Sequence, residues 1–330
     1  MPPARRHERL ARWLTAGSAA VALAGVLGSF GDLAWWLDLF SNFRPQYAVL
    51  LATFGIGLLL LRRPAAGVAA LLLAATNAVP LLRYYAPVPQ VLATGAPVRA
   101  VLVNVWFRNH QHDDVLRYIR ATSPDIAIFL EATTEWREAL RRLDDLLPYQ
   151  ASAGEIFVAS RRPLGRLQAV HLGNLGARAV RFYYDAGGMP VTVIGAHTNW
   201  PLGPGIAASR DLELGQLAAF ARGTARPVLL LADLNTTAFS PVFDFVLARS
   251  RLRDCAVGRG FLATWPTQFP PLAMQIDHCL ADPGLVVTRL ATGPYVGSDH
   301  YPLEVTVQPA IRPPGGESFT ASRSPPTFRQ

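Results

Sequence analysis

The chain has 330 residues, 51% of them hydrophobic, and a formal net charge of +8 whose basic side is all arginine, since no lysine occurs. Its two cysteines, Cys255 and Cys279, are too few for a disulfide-built scaffold and lack the paired spacing of a zinc site. The arginines are scattered rather than gathered in a stripe, so the charge admits an anionic partner without marking a nucleic-acid track.

The apolar excess sits at the amino end. Residues 13–31, WLTAGSAAVALAGVLGSFG, are long enough to cross a hydrocarbon layer of about 30 Å as a helix, with Trp35 and Trp36 following at headgroup depth. Two further apolar runs, 47–61 and 65–82, flank the turn Arg62-Arg63-Pro64 and argue against a cleaved signal peptide. The division expected is a cytoplasmic segment 1–12, three transmembrane helices within 13–83, a linker 84–97, a separate folded domain 98–308 and a disordered tail 309–330. Arg5, Arg6, Arg9 and Arg12 precede the first span, and Arg62 with Arg63 join the second to the third, so these ends should be cytoplasmic. An odd number of spans then places the remainder outside the cytoplasm, against Arg44 and Arg83, which are outnumbered.

Beyond residue 98, short runs rich in valine and isoleucine alternate with amphipathic stretches, the pattern of a mixed α/β domain. Strands are predicted over 98–106, 125–132, 156–160, 191–198, 228–235, 275–281 and 303–307, and helices over 113–121, 134–146, 206–222 and 241–248. Asn104, Glu131, His197, Asp233, Asn235 and Asp277 fall in or at the ends of these apolar strands, and Asp299 with His300 just before the last. Cys255 and Cys279 are read as two buried small hydrophobes, with a single disulfide between them as the alternative.

An acid at a strand end is usually a loop or cap residue when taken alone. Their order is the stronger signal: Asn104, then SPDIAIFLEAT, GAHTNWP, LLLADLNTT, QIDHCLA and GSDHYPLEV. This series resembles the endonuclease/exonuclease/phosphatase superfamily, the DNase I-like fold, across about 98–308. The resemblance implies a four-layer αββα sandwich with its active site at one rim, hydrolysing phosphate esters with Mg²⁺ or Mn²⁺. It assigns Glu131, with Asn104 and Asp299, to the metal. Asp233 would deprotonate the attacking water, Asn235 would hold water and phosphate, and His300, paired with Asp277, would donate to the phosphate together with His197. One departure is visible: the glycine of the usual GDxN is here Ala232. His7 is expected at the membrane interface, His110, His112 and His171 on the surface or in loops, and His278 turned away from the site.

The amino-terminal spans, Asn104-Val105-Trp106 and Thr264-Trp265-Pro266 are similar to the VanJ-like and YafD-like membrane-anchored branch. That likeness implies a lipid-linked substrate such as undecaprenyl pyrophosphate, with Trp106, Trp200 and Trp265 lining its approach and Arg210, Arg161 and Arg162 as anion contacts. A surface-anchored nuclease is the runner-up, ahead of a phospholipid phosphodiesterase and an inactive binding module. The completeness of the residue set argues against the last.

Overall fold

The computed structural model describes residues 3–88, 91–174 and 176–310. The amino-terminal part is helical: α1 (Pro3–Gly28), α2 (Trp35–Ser41), α3 (Arg44–Leu60) and α4 (Pro64–Ala78), continued by a 3₁₀ turn Val79–Tyr84. Two stretches, Arg5–Gly28 and Pro64–Tyr84, are long and apolar enough to cross a membrane; α2 and α3 form a pair bent by 59° that is a third crossing if taken as one. The expected second span is therefore the long arm of a broken helix, and Trp35 and Trp36 open its short arm. At 17 residues α3 is roughly 26 Å long by helical rise, short of a full crossing by itself.

Glycines let these helices close up. A Cβ on Gly55 would stand 3.0 Å from the Gly67 carbonyl, and one on Gly67 2.9 Å from that of Gly55, so α3 and α4 meet backbone to backbone. Gly57 faces Leu14 and Gly17 faces Phe54, which sets α1 antiparallel to α3. The arginine-bearing start of α1 and the Arg62-Arg63 turn consequently lie at the same end of the bundle.

The remainder carries α5 (His112–Thr122), α6 (Thr134–Leu140), α7 (Pro204–Gly223) and α8 (Pro241–Ser250) around two sheets. The strands are β1 (Val98–Asn104), β2 (Ile126–Leu130), β3 (Tyr149–Ala153), β4 (Ile156–Ser160), β5 (Gln168–His171), β6 (Ala177–Asp185), β7 (Pro190–His197), β8 (Val228–Asp233), β9 (Arg253–Asp254), β10 (Asp277–Ala281), β11 (Leu285–Thr292) and β12 (Leu303–Pro309). Each sheet has six strands, ordered β11-β12-β1-β2-β4-β3 and β5-β6-β7-β8-β10-β9.

Alternation along β1 builds the layers. Ala100 and Leu102 join the cluster between the sheets with Val180, Phe182 and Ile194, while Val101 and Val103 turn outward to Val115 and Ile119 of α5 and Trp136 of α6. On the far side Leu214 and Leu217 of α7 and Phe243 and Val246 of α8 cover the second sheet. Each large side chain buried this way contributes roughly 1.5–3 kcal/mol, so both faces of both sheets are occupied and the αββα order follows.

Several expectations are corrected. Helix 134–146 stops at Leu140 and tightens into a 3₁₀ turn. Five strands, β3, β5, β6, β9 and β11, were not predicted. Pro309 belongs to β12 and Ala310 bridges Ala93, so the tail begins later than 309; residues 311–330 lie outside the described ones. Cys255 and Cys279 are joined in a disulfide, Cα atoms 5.4 Å apart, rather than standing as free buried thiols. His112 is neither a surface nor a loop residue: it opens α5, and its ring packs edge-on against Trp136.

Candidate active site

The site is one row of residues per sheet. In the second sheet β7 runs parallel to β8 and β10 antiparallel, so the last residues of β7 and β8 pair with each other and with the first of β10. His197, Asp233 and Asp277 therefore stand side by side on neighbouring strands. In the first sheet Asn104 ends β1 opposite Leu130, and Glu131 follows at once. Asn104 joins the rows: its Nδ2 donates to Glu131 Oε1 at 2.9 Å and to Asp233 Oδ2 at 3.2 Å. Its Oδ1 accepts from the Trp106 amide at 3.0 Å, so the Asn104 oxygen is turned to the backbone and its amide nitrogen to the carboxylates. Ala232 is buried in β8, paired with Ala196 and His278, and fits without disturbing the strand.

Backbone conformation is unusual where these strands end. Trp106, Glu131 and Asn235 have φ of 57°, 56° and 47°, the left-handed region that costs a side-chain-bearing residue roughly 1–2 kcal/mol. The left-handed turn at Asn235 lets its own amide donate to Asp233 Oδ1 at 3.0 Å while its Nδ2 donates to the Thr198 carbonyl at 2.8 Å. Arg62, Ser123 and Arg251 share this conformation outside the site, at helix ends, so what is particular here is three such residues gathered just past the ends of β1, β2 and β8.

His300 is buried, and its Nδ1 lies 2.8 Å from Asp277 Oδ2. Burial alone would push the ring's pKa down, but Asp277, by charge and hydrogen bond, with Asp233 and Asp299, together raises it to about 10. The ring is then an imidazolium with Nδ1 donating to Asp277 and Nε2 facing Asp233 Oδ2 at 3.8 Å. His197 Nε2 stands 3.8 Å from both Asp233 Oδ2 and Glu131 Oε1. Burial, then the charge of Asp277, raises Asp233 to about 6 against the opposing pull of His300 and His197.

Support comes from residues to which the sequence reading gave no role. Ser298 Oγ donates to the Asn104 carbonyl at 2.7 Å and accepts from the His300 amide at 3.1 Å, tying the last loop to β1. Thr264 Oγ1 accepts from the amides of Ile276 and Asp277. His278 is turned away from the row, as expected, and its Nε2 meets the Thr236 carbonyl at 2.9 Å behind the Asn235 loop. Both Ser298 and Thr264 lay within quoted motifs, but hydroxyls that bond backbone leave no spacing signature.

The expected substrate contacts separate. Trp265 Nε1 donates to Asp299 Oδ2 at 3.1 Å, Trp106 is half-buried beside Asn104, and Trp200 is 60% exposed. Arg210 is not open to a substrate: it is fully buried and paired with Asp38 and Asp211. Arg161 and Arg162 follow Ser160, which pairs with Ile126 at the start of β2, the edge opposite Glu131.

The donor set fits a hard divalent cation. Asp299 Oδ1 is buried with no hydrogen-bond partner, and burial followed, among the raising influences, by the charge of Glu131 holds this carboxyl above its usual range. Asp233, Asp277 and His300 also bring one ligand atom each within 4.8 Å of one another. There the imidazole and one Asp277 oxygen already satisfy each other, and a charged ring repels a cation.

Two stacked mixed sheets with carboxylates, an amide and paired imidazoles on one rim define a phosphate-ester hydrolase. The chain belongs to the Endonuclease/Exonuclease/phosphatase family, whose model matches residues 101–300. Solved structures share the fold. An endonuclease/exonuclease/phosphatase from Beutenbergia cavernae is 17% identical over 65% of this chain and 72% of its own, TM-score 0.53. A beta toxin variant from Staphylococcus aureus with bound magnesium ions is 18% identical over 64% and 99%, TM-score 0.52. D. rerio TDP2 complexed with a single-strand DNA product is 13% identical over 64% and 99%, TM-score 0.52. No protein of curated function matches the sequence.

Proposed function

We propose that this chain is a membrane-anchored phosphohydrolase whose catalytic domain lies outside the cytoplasm and removes phosphate from a lipid-linked pyrophosphate, undecaprenyl pyrophosphate being the leading candidate. The observation that carries this reading is that the loops of the site are the ones docked on the apolar helices. Gln46 of α3 donates to the Ala273 carbonyl at 2.9 Å, Asn42 Oδ1 accepts from the Thr237 amide at 2.9 Å, and Asp38 pairs with Arg210 at 3.0 Å. The same segments expose Trp200, Leu202, Ile206, Phe269 and Leu272, apolar surface suited to a lipid chain. The Cys255–Cys279 disulfide supports an oxidising, extracytoplasmic setting.

Glu131 and Asp299 would hold Mg²⁺ or Mn²⁺, with Asn104 fixing the first of them, and the bound ion would neutralise the developing phosphate charge. Asp233 takes the proton of the attacking water, its carboxylate aimed by the Asn235 amide and Asn104. The His300 imidazolium, and beside it the His197 ring, donate from Nε2 to the phosphoryl oxygens as the bond to the departing phosphate breaks. Asp277 keeps His300 charged and oriented.

The test is phosphate release from undecaprenyl pyrophosphate by the detergent-solubilised chain with Mg²⁺ or Mn²⁺, beside plasmid cleavage, each repeated with His300→Ala. Metal-dependent release lost in the variant is expected. Plasmid cutting without phosphate release would replace this reading with a surface-anchored nuclease.

A further inference from the structure

Arg210 is an arginine of α7 with no exposed surface, yet its partners come from three directions. Nη2 donates to Asp38 Oδ2 of the amino-terminal helices at 3.0 Å, Nε to Asp211 Oδ1 at 2.7 Å, and Nη1 to the backbone carbonyl of Asn235 at 3.3 Å. Asp38 is itself 1% exposed, and its other oxygen accepts from Ser41 Oγ at 3.0 Å. One guanidinium thus ties a carboxylate of the anchor to the residue expected to hold water and phosphate.

The rest of that loop is held from the same side. Asn42 Oδ1 accepts from the Thr237 amide, and Arg83, at the end of the last apolar helix, donates to the Ala238 carbonyl. Asn235 is in the left-handed region, so its carbonyl direction and the aim of its side chain are fixed by what bonds to either side of it. Asp233 holds its amide, the Thr198 carbonyl its side-chain Nδ2, and Arg210 its carbonyl.

We propose that Asp38 is a positioning residue for the active site: through Arg210 it sets the carbonyl of Asn235, making the membrane anchor a structural part of the catalytic loop and not only a tether. A buried ion pair adds little net stability but defines geometry when both members stay in place. A misplacement of about 1 Å at a reacting group is enough to cost orders of magnitude in rate. The proposal rests on the phosphate-handling role of Asn235 given above.

The test uses the full chain in detergent and two readouts. The first is amide hydrogen exchange over residues 234–240 in Asp38→Asn, with Asp32→Asn, an exposed carboxylate of the same region, as control. Exchange faster by about tenfold in Asp38→Asn alone is expected; unchanged protection overturns the proposal, whether or not the chain proves active. The second is kinetics on bis(p-nitrophenyl) phosphate with Mn²⁺. We expect kcat to fall by roughly tenfold or more with KM little changed, and Asp38→Glu to recover part of it. In an Asn235→Ala background Asp38→Asn should cost less than about twofold, because the same function is already lost. A full, additive loss there would show that Asp38 acts by another route and sink the idea. Should Asp38→Asn not fold, Asn42→Ala removes the acceptor for Thr237 and must loosen the same amides. Absence of any activity in the unaltered chain would count against the enzymatic reading alone, since the exchange result stands apart from it.

Discussion

Asp233 Oδ2 sits 3.8 Å from both imidazoles and accepts from Asn104, and its titration should be visible in the rate. As the proposed base it would work as a carboxylate, so activity is expected to be lost as pH falls through about 6, the value to which burial and Asp277 raise it. In the same proposal His300 works as the charged ring, so activity is expected to be lost as pH rises through about 10. A bell-shaped kcat/KM profile with those limbs is expected. Asp277→Asn keeps an acceptor oxygen but deletes the charge that holds the ring protonated, so the alkaline limb should move to lower pH while the acid limb moves down as well, Asp277 being one cause of the raised Asp233. An alkaline limb that stayed put would remove His300 from the mechanism. Glu131→Gln should raise the metal concentration for half-maximal rate by on the order of tenfold or more, read by titrating Mn²⁺ into chelator-treated protein.

Among the elements, the apolar strands of the inner sheets were legible because 126–130, 156–160 and 228–233 are buried on both faces and leave continuous hydrophobic runs. The candidate site residues were legible through their order along the chain and not singly, since an acid or amide closing an apolar run is by itself usually a loop or cap residue. Strands β3, β5 and β11 were not legible, because they are edge strands with mostly half-buried or exposed positions and leave no continuous apolar run, and β6 carries Arg178 and Arg181 in its run. Nor was the fate of Arg210, whose partner Asp38 is 172 residues away and belongs to a different part of the chain. The disulfide is another long-range fact that spacing alone could not decide. It spans 24 residues and ends on Cys279, two positions from Asp277 in β10. Closing a loop of that length stabilises by about 3 kcal/mol, so Cys255→Ser with Cys279→Ser should shift the urea midpoint downward by a corresponding amount. A midpoint the same with and without reductant in the unaltered chain would mean that the bond is not formed in the protein as isolated.

At the scale of the whole molecule, one end of the apolar bundle carries Arg5, Arg6, Arg9, Arg12, Arg62 and Arg63, and the other end carries the catalytic domain. The packing of Gly17 against Phe54 and Gly57 against Leu14 fixes this polarity, because it sets the start of α1 beside the α3–α4 turn. The opposite ends, Ser41 to Gln46 and Arg83 to Tyr84, touch the loops of the site: the amides of Gly258 and Gly260 donate to the carbonyls of Arg83 and Tyr84 at 3.0 and 2.7 Å. Arg44 and Arg83 are the basic residues on that side, and Arg83 is occupied by the Ala238 carbonyl and the Tyr84 hydroxyl. The cluster of six against two favours retention of the arginine-rich end in the cytoplasm, where short basic segments resist translocation. If the bent α2–α3 pair crosses as one unit, the domain must then emerge on the other face. A reporter phosphatase fused after Gln330 is expected to be active only outside the cytoplasm, and a reporter active only inside it would overturn both the crossing of the bent pair and the extracytoplasmic substrate.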